Sequence, residues 1–113
     1  MIIVPCSIKT VSKISSGVTS NLVSRSAYVC LKELRRVVLM LRETPLHLGH
    51  IRSMTAMTEA GAIIFPWVPA FYTRPESIKD MIDHTLGRVL DLFDIDLGTV
   101  RRWSGKTRRT DNA

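Results

Sequence analysis

Arg42 and Glu43 stand at the end of an uninterrupted apolar run, Val37-Val38-Leu39-Met40-Leu41, and are followed at once by Thr44-Pro45. A guanidinium beside a carboxylate can bind an anion and move one proton, provided that a rigid element holds the pair. A second polar group, Ser7-Ile8-Lys9-Thr10, follows the apolar start Met1-Ile2-Ile3-Val4-Pro5 and runs on into Ser12, Ser15, Ser16 and Gly17. Hydroxyls and free amides between a strand and a helix make a seat for an anion or for the polar edge of a ring. The same residues also suit an ordinary connection with capping serines. Arg25, Lys32 and Arg88 add cations, and Tyr72 adds a phenol. Such a set fits a phosphate-bearing ligand, each charge-assisted bond being worth roughly 1.5–3 kcal/mol. The chain offers no nucleophile–base pair of hydrolytic type and no glycine-rich phosphate loop.

The elements that must position these groups follow from periodicity. Val37 to Leu41 is too uniformly apolar for a half-exposed strand and reads as a strand buried on both faces. Thr44 as N-cap and Pro45 at the first helical position open a helix carrying Leu48, Ile51, Met54, Thr55 and Thr58, which ends at Gly61. Ala62 to Phe65 is a second short buried strand, so strand, helix and strand form a βαβ unit with a parallel sheet. Arg42 and Glu43 then lie at the carboxyl edge, where open α/β sheets place their ligands. His47 and His50, three apart, have metal-binding spacing, but no carboxylate or third histidine is near them in sequence. Met54 and Met57 read as packing residues.

Before the central strand, Ser20 caps a helix from Asn21 to about Arg35 with a core stripe of Val23, Ala27, Cys30, Leu31 and Leu34. Arg25 and Lys32 lie opposite that stripe, about 10 Å apart along the axis. Leu22 and Val29 form a separate apolar strip, which implies that something further covers this helix. After the second buried strand, Pro66 to Tyr72 is a rigid aromatic loop, and Thr73-Arg74-Pro75-Glu76 resembles a capping box. The last helix places Ile78, Met81, Ile82, Thr85, Leu86, Val89, Leu90 and Phe93 on one face, with Arg88 at its edge as a snorkelling residue or an anion ligand.

The totals bound the class. The 113 residues suit one domain, and 45% hydrophobic with 23% charged residues is the composition of a globular chain. Of the net charge of +6, much is concentrated in Arg101, Arg102, Lys106, Arg108 and Arg109. That segment reads as a solvated tail or a nucleic-acid arm; only Trp103 is interleaved with its charges. Cys6 and Cys30 are too few for a disulfide framework. The longest apolar stretch, Ala60 to Tyr72, is broken by Gly61, Pro66 and Pro69 and falls short of the ~20 residues of a membrane span. With no charged region ahead of the first apolar residues, no signal peptide is expected, and the expected location is cytoplasmic.

Five segments in order carry a resemblance: Pro5-Cys6-Ser7-Ile8-Lys9-Thr10, Leu31-Lys32-Glu33, the run from Arg42 through Thr44-Pro45 to Gly49-His50, Pro69-Ala70-Phe71-Tyr72, and Gly87-Arg88-Val89-Leu90. The chain from about Ile2 to Trp103 resembles the carboxyl-terminal part of the flavin prenyltransferases, the UbiX family. The resemblance implies a partial flavodoxin-like, Rossmann-type three-layer α/β sandwich over residues 1–103, with 104–113 a basic, disordered tail. It further implies a metal-independent enzyme that transfers a dimethylallyl group from dimethylallyl phosphate to reduced FMN. The prenylated FMN would serve a partner decarboxylase of the ubiquinone pathway or of phenolic acids.

By the same resemblance Ser7, Ile8, Lys9, Thr10 and Arg42 contact FMN, while Tyr72 and Arg88 hold dimethylallyl phosphate. Glu43 is the proton-transfer group, and Arg25 and Lys32 add charge to the catalytic site. The site is expected between subunits of a homo-oligomer, without membrane or nucleic acid. Family members also carry, ahead of the equivalent of Ile2, a first strand and a Gly-Ala-Ser-Gly type loop for the flavin phosphate. The apolar start of this chain therefore reads as a truncation. Trp67 replaces a usual proline, Lys13 a glycine and Tyr28 an acidic residue. The alternatives are a catalytically silent flavoprotein remnant and, more remotely, a small basic nucleic-acid binder.

Overall fold

The computed structural model describes residues 1–68 and 74–96. Tyr72, the proposed cap at Thr73, the rest of the Pro69–Tyr72 loop and the basic tail lie outside the described residues. The chain divides into two compact units, Met1–Trp67 and Val68–Ala113.

The first unit runs β1 (Ile2–Cys6), α1 (Ile8–Ser15), α2 (Leu22–Lys32), β2 (Val38–Leu41), α3 (Leu48–Glu59) and β3 (Ile63–Ile64). The three strands form a parallel sheet in the order β1-β2-β3, with Ile2 opposite Val38 and Val38 opposite Ile63. Every residue of β2 is buried. Val37, Leu39 and Leu41 join Cys6, Val11, Ile14, Ala27, Met57 and Ala62 in one core. Val38 and Met40, which alternate with them, are equally inaccessible, so the strand is covered on both faces as its uniform apolar run requires.

The serine-rich stretch after β1 is a helix rather than a connection. Ser7, in extended conformation, is its N-cap and accepts the Thr10 N–H at 3.2 Å, and Val11 and Ile14 are its buried face. Asn21 rather than Ser20 caps α2: its Oδ1 accepts the Ser24 N–H at 2.8 Å while the Ser24 hydroxyl accepts the Asn21 N–H. The buried residues of α2 are Ser24 and Ala27, whereas Val23 and Leu34 of the expected stripe are exposed. The small side chains mark where the helix makes its closest approach.

The same holds for α3, whose expected stripe at Leu48 and Ile51 is exposed. It faces α1 through Ser53, whose hydroxyl meets that of Ser12 at 3.4 Å, and buries Met57. Helix α3 begins at Leu48 with His47 as N-cap, three residues beyond the start expected from Thr44-Pro45. Its end is as expected, with Gly61 at φ +104° just beyond it.

The second unit holds α4 (Ile78–Asp91). Ser77 caps it, accepting the Asp80 N–H at 3.1 Å, while Asp80 Oδ2 accepts the Glu76 N–H at 3.0 Å. The capping group is thus nearer the helix than the expected Thr73-Glu76 box. His84, Thr85, Gly87 and Val89 are buried, and Ile78 and Ile82 of the expected face are exposed.

Helix α2 ends at Lys32, short of Arg35, in a Schellman turn: Leu34 N–H donates to Leu31 O at 3.1 Å and Arg35 N–H to Cys30 O at 2.8 Å. Leu34 takes the position usual for glycine, at φ +61° and 93% exposed. A left-handed conformation costs a non-glycine residue roughly 1–2 kcal/mol, and glycine's extra freedom in the unfolded chain offsets about half of that. Leu34→Gly is therefore expected to raise the urea midpoint, by up to about 1 kcal/mol of stability. Leu34→Ala, which keeps the Cβ, leaves it unchanged.

Candidate functional site at the carboxyl edge of the sheet

Beyond the last residues of the strands the ladder continues for one more step. Arg42 N–H donates to Cys6 O at 3.3 Å, and Trp67 N–H to Leu41 O at 3.4 Å. Cys6, Arg42 and Trp67 thereby stand in a row at the carboxyl edge. Glu43 turns back across this edge, and its Oε1 accepts the backbone N–H of Ile8, 35 residues away, at 3.4 Å. Ile8 is the first residue of α1, so the carboxylate sits where the free amides and the positive end of the helix dipole favour an anion. The seat expected at the start of this helix is thus held by the protein's own Glu43.

Ser7 and Thr10 complete the group, their hydroxyls 3.1 Å apart. Lys9 and Arg42 are exposed beside them. The fold therefore brings together Ser7, Ile8, Lys9, Thr10, Arg42 and Glu43, six positions expected to act together. Arg25 and Lys32 are both exposed on α2, and Lys32 lines a shallow cleft with Ile14, Leu31, Met57 and Ala60 toward the opposite ends of the helices, away from this edge. Arg88 is exposed on α4 in the second unit. Tyr72 lies outside the described residues.

His47 and His50 stack their rings 3.6 Å apart, and each Nδ1 accepts the other residue's backbone N–H. Among the described residues no cluster of three or more metal-ligating side chains occurs. Sequence reasoning missed this cap because histidine is not among the usual N-cap residues. It also missed α1, although the spacing Ile8, Val11, Ile14 after a serine was a signal for it.

Burial pushes the Cys6 thiol up to about 11, and the nearby Arg42 charge opposes that shift without cancelling it. The thiol keeps its proton in the folded chain to a higher pH than in the unfolded chain, where it titrates near ~8.5. Its contribution to stability is thus complete below the unfolded value and is lost as the pH rises from there through about 11. The urea midpoint of the native chain is expected to fall between pH 8 and 10.5 relative to that of Cys6→Ala. Parallel pH profiles would contradict the assignment.

A parallel sheet with helices against it and its polar groups at the carboxyl edge is the arrangement of nucleotide-binding α/β proteins. The flavoprotein family profile matches residues 1–102, and the chain belongs to that family. Within it the relatives are of the UbiX type. The chain is 53% identical over 109 residues to the flavin prenyltransferase UbiX of Thauera aromatica, covering 96% of this chain and 56% of the relative. It is 55% identical over 107 residues to UbiX of Escherichia coli K12, covering 93% of this chain and 57% of the relative.

Among solved structures, AnUbiX (PadA1) in complex with FMN and dimethylallyl pyrophosphate superposes with a TM-score of 0.89 at 57% identity. That alignment covers 92% of this chain and 55% of the other. A dodecameric FMN-dependent UbiX-like decarboxylase from Escherichia coli O157:H7 gives a TM-score of 0.88 at 43% identity, over 92% of this chain and 56% of that one. The fold is therefore that of the UbiX flavoproteins, and the chain spans about half the length of the relatives it matches.

Proposed function

We propose that this chain carries the site-bearing part of a flavin prenyltransferase, which transfers a dimethylallyl group from dimethylallyl phosphate to reduced FMN. The observation that supports this most is the convergence of Ser7–Thr10 with Arg42 and Glu43 through the Ile8–Glu43 hydrogen bond. The donor set fits FMN: the Ser7 and Thr10 hydroxyls and the exposed Lys9 and Arg42 charges suit the polar edge of a flavin ring. Ser7, Ile8, Lys9, Thr10 and Arg42 would hold it there. FMN, when bound and reduced, supplies the ring that accepts the dimethylallyl group.

The chain's own residues divide the remaining work. Glu43, anchored through Oε1, presents its other carboxylate oxygen to accept a proton as the new bond forms. Tyr72 and Arg88 hold the phosphate of dimethylallyl phosphate, and cations neutralise it as the carbon–oxygen bond breaks and inorganic phosphate leaves. Arg25 and Lys32 are both exposed on α2, and Lys32 stands beside Ile14, Met57 and Ala60. We read them as donated to the site of a neighbouring copy in a homo-oligomer. The exposed Leu22 and Val29 on the same helix suit such an interface. The product would pass to a decarboxylase that uses prenylated FMN. No metal is assigned a role, and the cytoplasm is the compartment that this chemistry suits.

The test is anaerobic incubation with FMN, a reductant and dimethylallyl phosphate, with prenylated FMN detected by mass spectrometry. Glu43→Gln is expected to retain FMN and to lower turnover by roughly 10²–10⁴-fold. Absence of prenylated product under reducing conditions, with FMN bound, would overturn the proposal.

A further inference from the structure

Past Ile64 the chain does not leave the sheet at once. Ile63, Phe65 and Trp67 donate their N–H groups to Val37 O, Leu39 O and Leu41 O at 2.9, 2.9 and 3.4 Å. Alternate residues thus bond alternate carbonyls of β2, and the pleat persists as far as Trp67. Pro66 fits this alternation, because its nitrogen falls on the side away from β2, and β3 ends the strand order there. The register that pairs Val38 with Ile63 and Leu39 with Ile64 then brings Trp67 opposite Arg42.

Residues paired in this way share a face of the sheet, so Ile63, Phe65 and Trp67 lie on the face of Val38, Met40 and Arg42. Val38 and Met40 are wholly buried, Arg42 is exposed and Trp67 is half-buried. The apolar column of this face therefore ends in a guanidinium and an indole on neighbouring strands, whose backbones run about 4.8 Å apart. Of the groups assigned to the flavin, Ser7, Lys9, Thr10 and Arg42 are polar and can serve only the rim of its ring system. An isoalloxazine is a broad plane as well as a rim. Trp67 is a flat apolar group at the same edge, held by its own N–H on Leu41 O, and a tryptophan has only two side-chain torsions to order.

We infer that Trp67 is a flavin-contacting residue, whose indole is the surface against which the isoalloxazine ring of FMN packs, next to Arg42 at the ring's polar rim. Arg42 and Trp67 thus divide the recognition of one ligand, the first taking its polar edge and the second its plane. Trp67 moves no proton and breaks no bond; its part is to hold the ring. The inference rests on the reading of the carboxyl edge as the flavin seat and adds the residue that recognises the ring itself.

The test is a titration of the chain with oxidised FMN that reads both the Kd and the emission of the bound flavin. An indole in contact with an excited flavin quenches it by electron transfer, so the native complex is expected to emit far less than free FMN. Trp67→Leu is expected to raise the Kd about tenfold and to restore the emission. Trp67→Phe, which keeps a ring that is harder to oxidise, is expected to hold the Kd within about threefold of native while also losing the quenching. The second tryptophan serves as the control, and Trp103→Phe is expected to change neither quantity. A merely structural role for Trp67 would not separate affinity from emission in this way. Saturable binding with both quantities unchanged in Trp67→Leu would overturn the inference and leave the flavin seat standing. Where that variant does not fold, retained quenching in Trp67→Phe overturns it equally. No saturable binding by the native chain would overturn the inference together with the reading on which it rests.

Discussion

No face of β2 is left to water, and that burial sets where charge can enter the fold. From Val37 to Leu41 every side chain is inaccessible, so a charged group within the strand would stand unpaired in an apolar interior, at a cost of several kcal/mol. The first position free of that cost is Arg42, where the strand ends. The parallel pairing with β1 then places Arg42 and Glu43 beside Ser7 and the first turn of α1, because Cys6 lies opposite Leu41 in the register. The site is in this sense a consequence of the sheet. A strand exposed on one face could have carried polar residues along its length, and nothing would have gathered them at one end.

What the sequence made legible follows the same division. The uniform apolar run and the strand–helix–strand spacing were enough for the parallel sheet and its carboxyl edge. Six expected ligand-edge residues, Ser7 to Thr10 with Arg42 and Glu43, come together as that topology requires. Helix boundaries and faces were less legible because they depend on details that hydrophobicity does not encode. A leucine at φ +61° ends α2 where no glycine announces a stop, and two histidines cap α3 where serine or aspartate would be expected. The buried faces of α2 and α4 include the small residues Ser24, Ala27, Thr85 and Gly87, while Val23, Leu34, Ile78 and Ile82 of the expected stripes are exposed. Close approach between elements selects small side chains, and a period count that weighs only bulk finds the wrong strip.

The exposed apolar residues have a matching physical reading. Leu22, Val29, Leu48 and Ile51 stand on the outer sides of α2 and α3, together with the cations Arg25 and Lys32. A helix that displays both an apolar strip and unpaired-looking charge on its outer side is suited to contact with another surface rather than with water alone.

The central claim is that the carboxyl edge of the sheet, pinned by Glu43 on the Ile8 amide, is where flavin binds. The most direct measurement is a titration of the ¹⁵N-labelled chain with FMN, followed by the amide resonances. Saturable shifts concentrated at Ile8, Lys9, Thr10, Arg42 and Glu43 are expected, with Leu34, Arg36 and Gly61 at the opposite ends of the strands unmoved. Shifts centred on those opposite ends, or none that saturate, would contradict it.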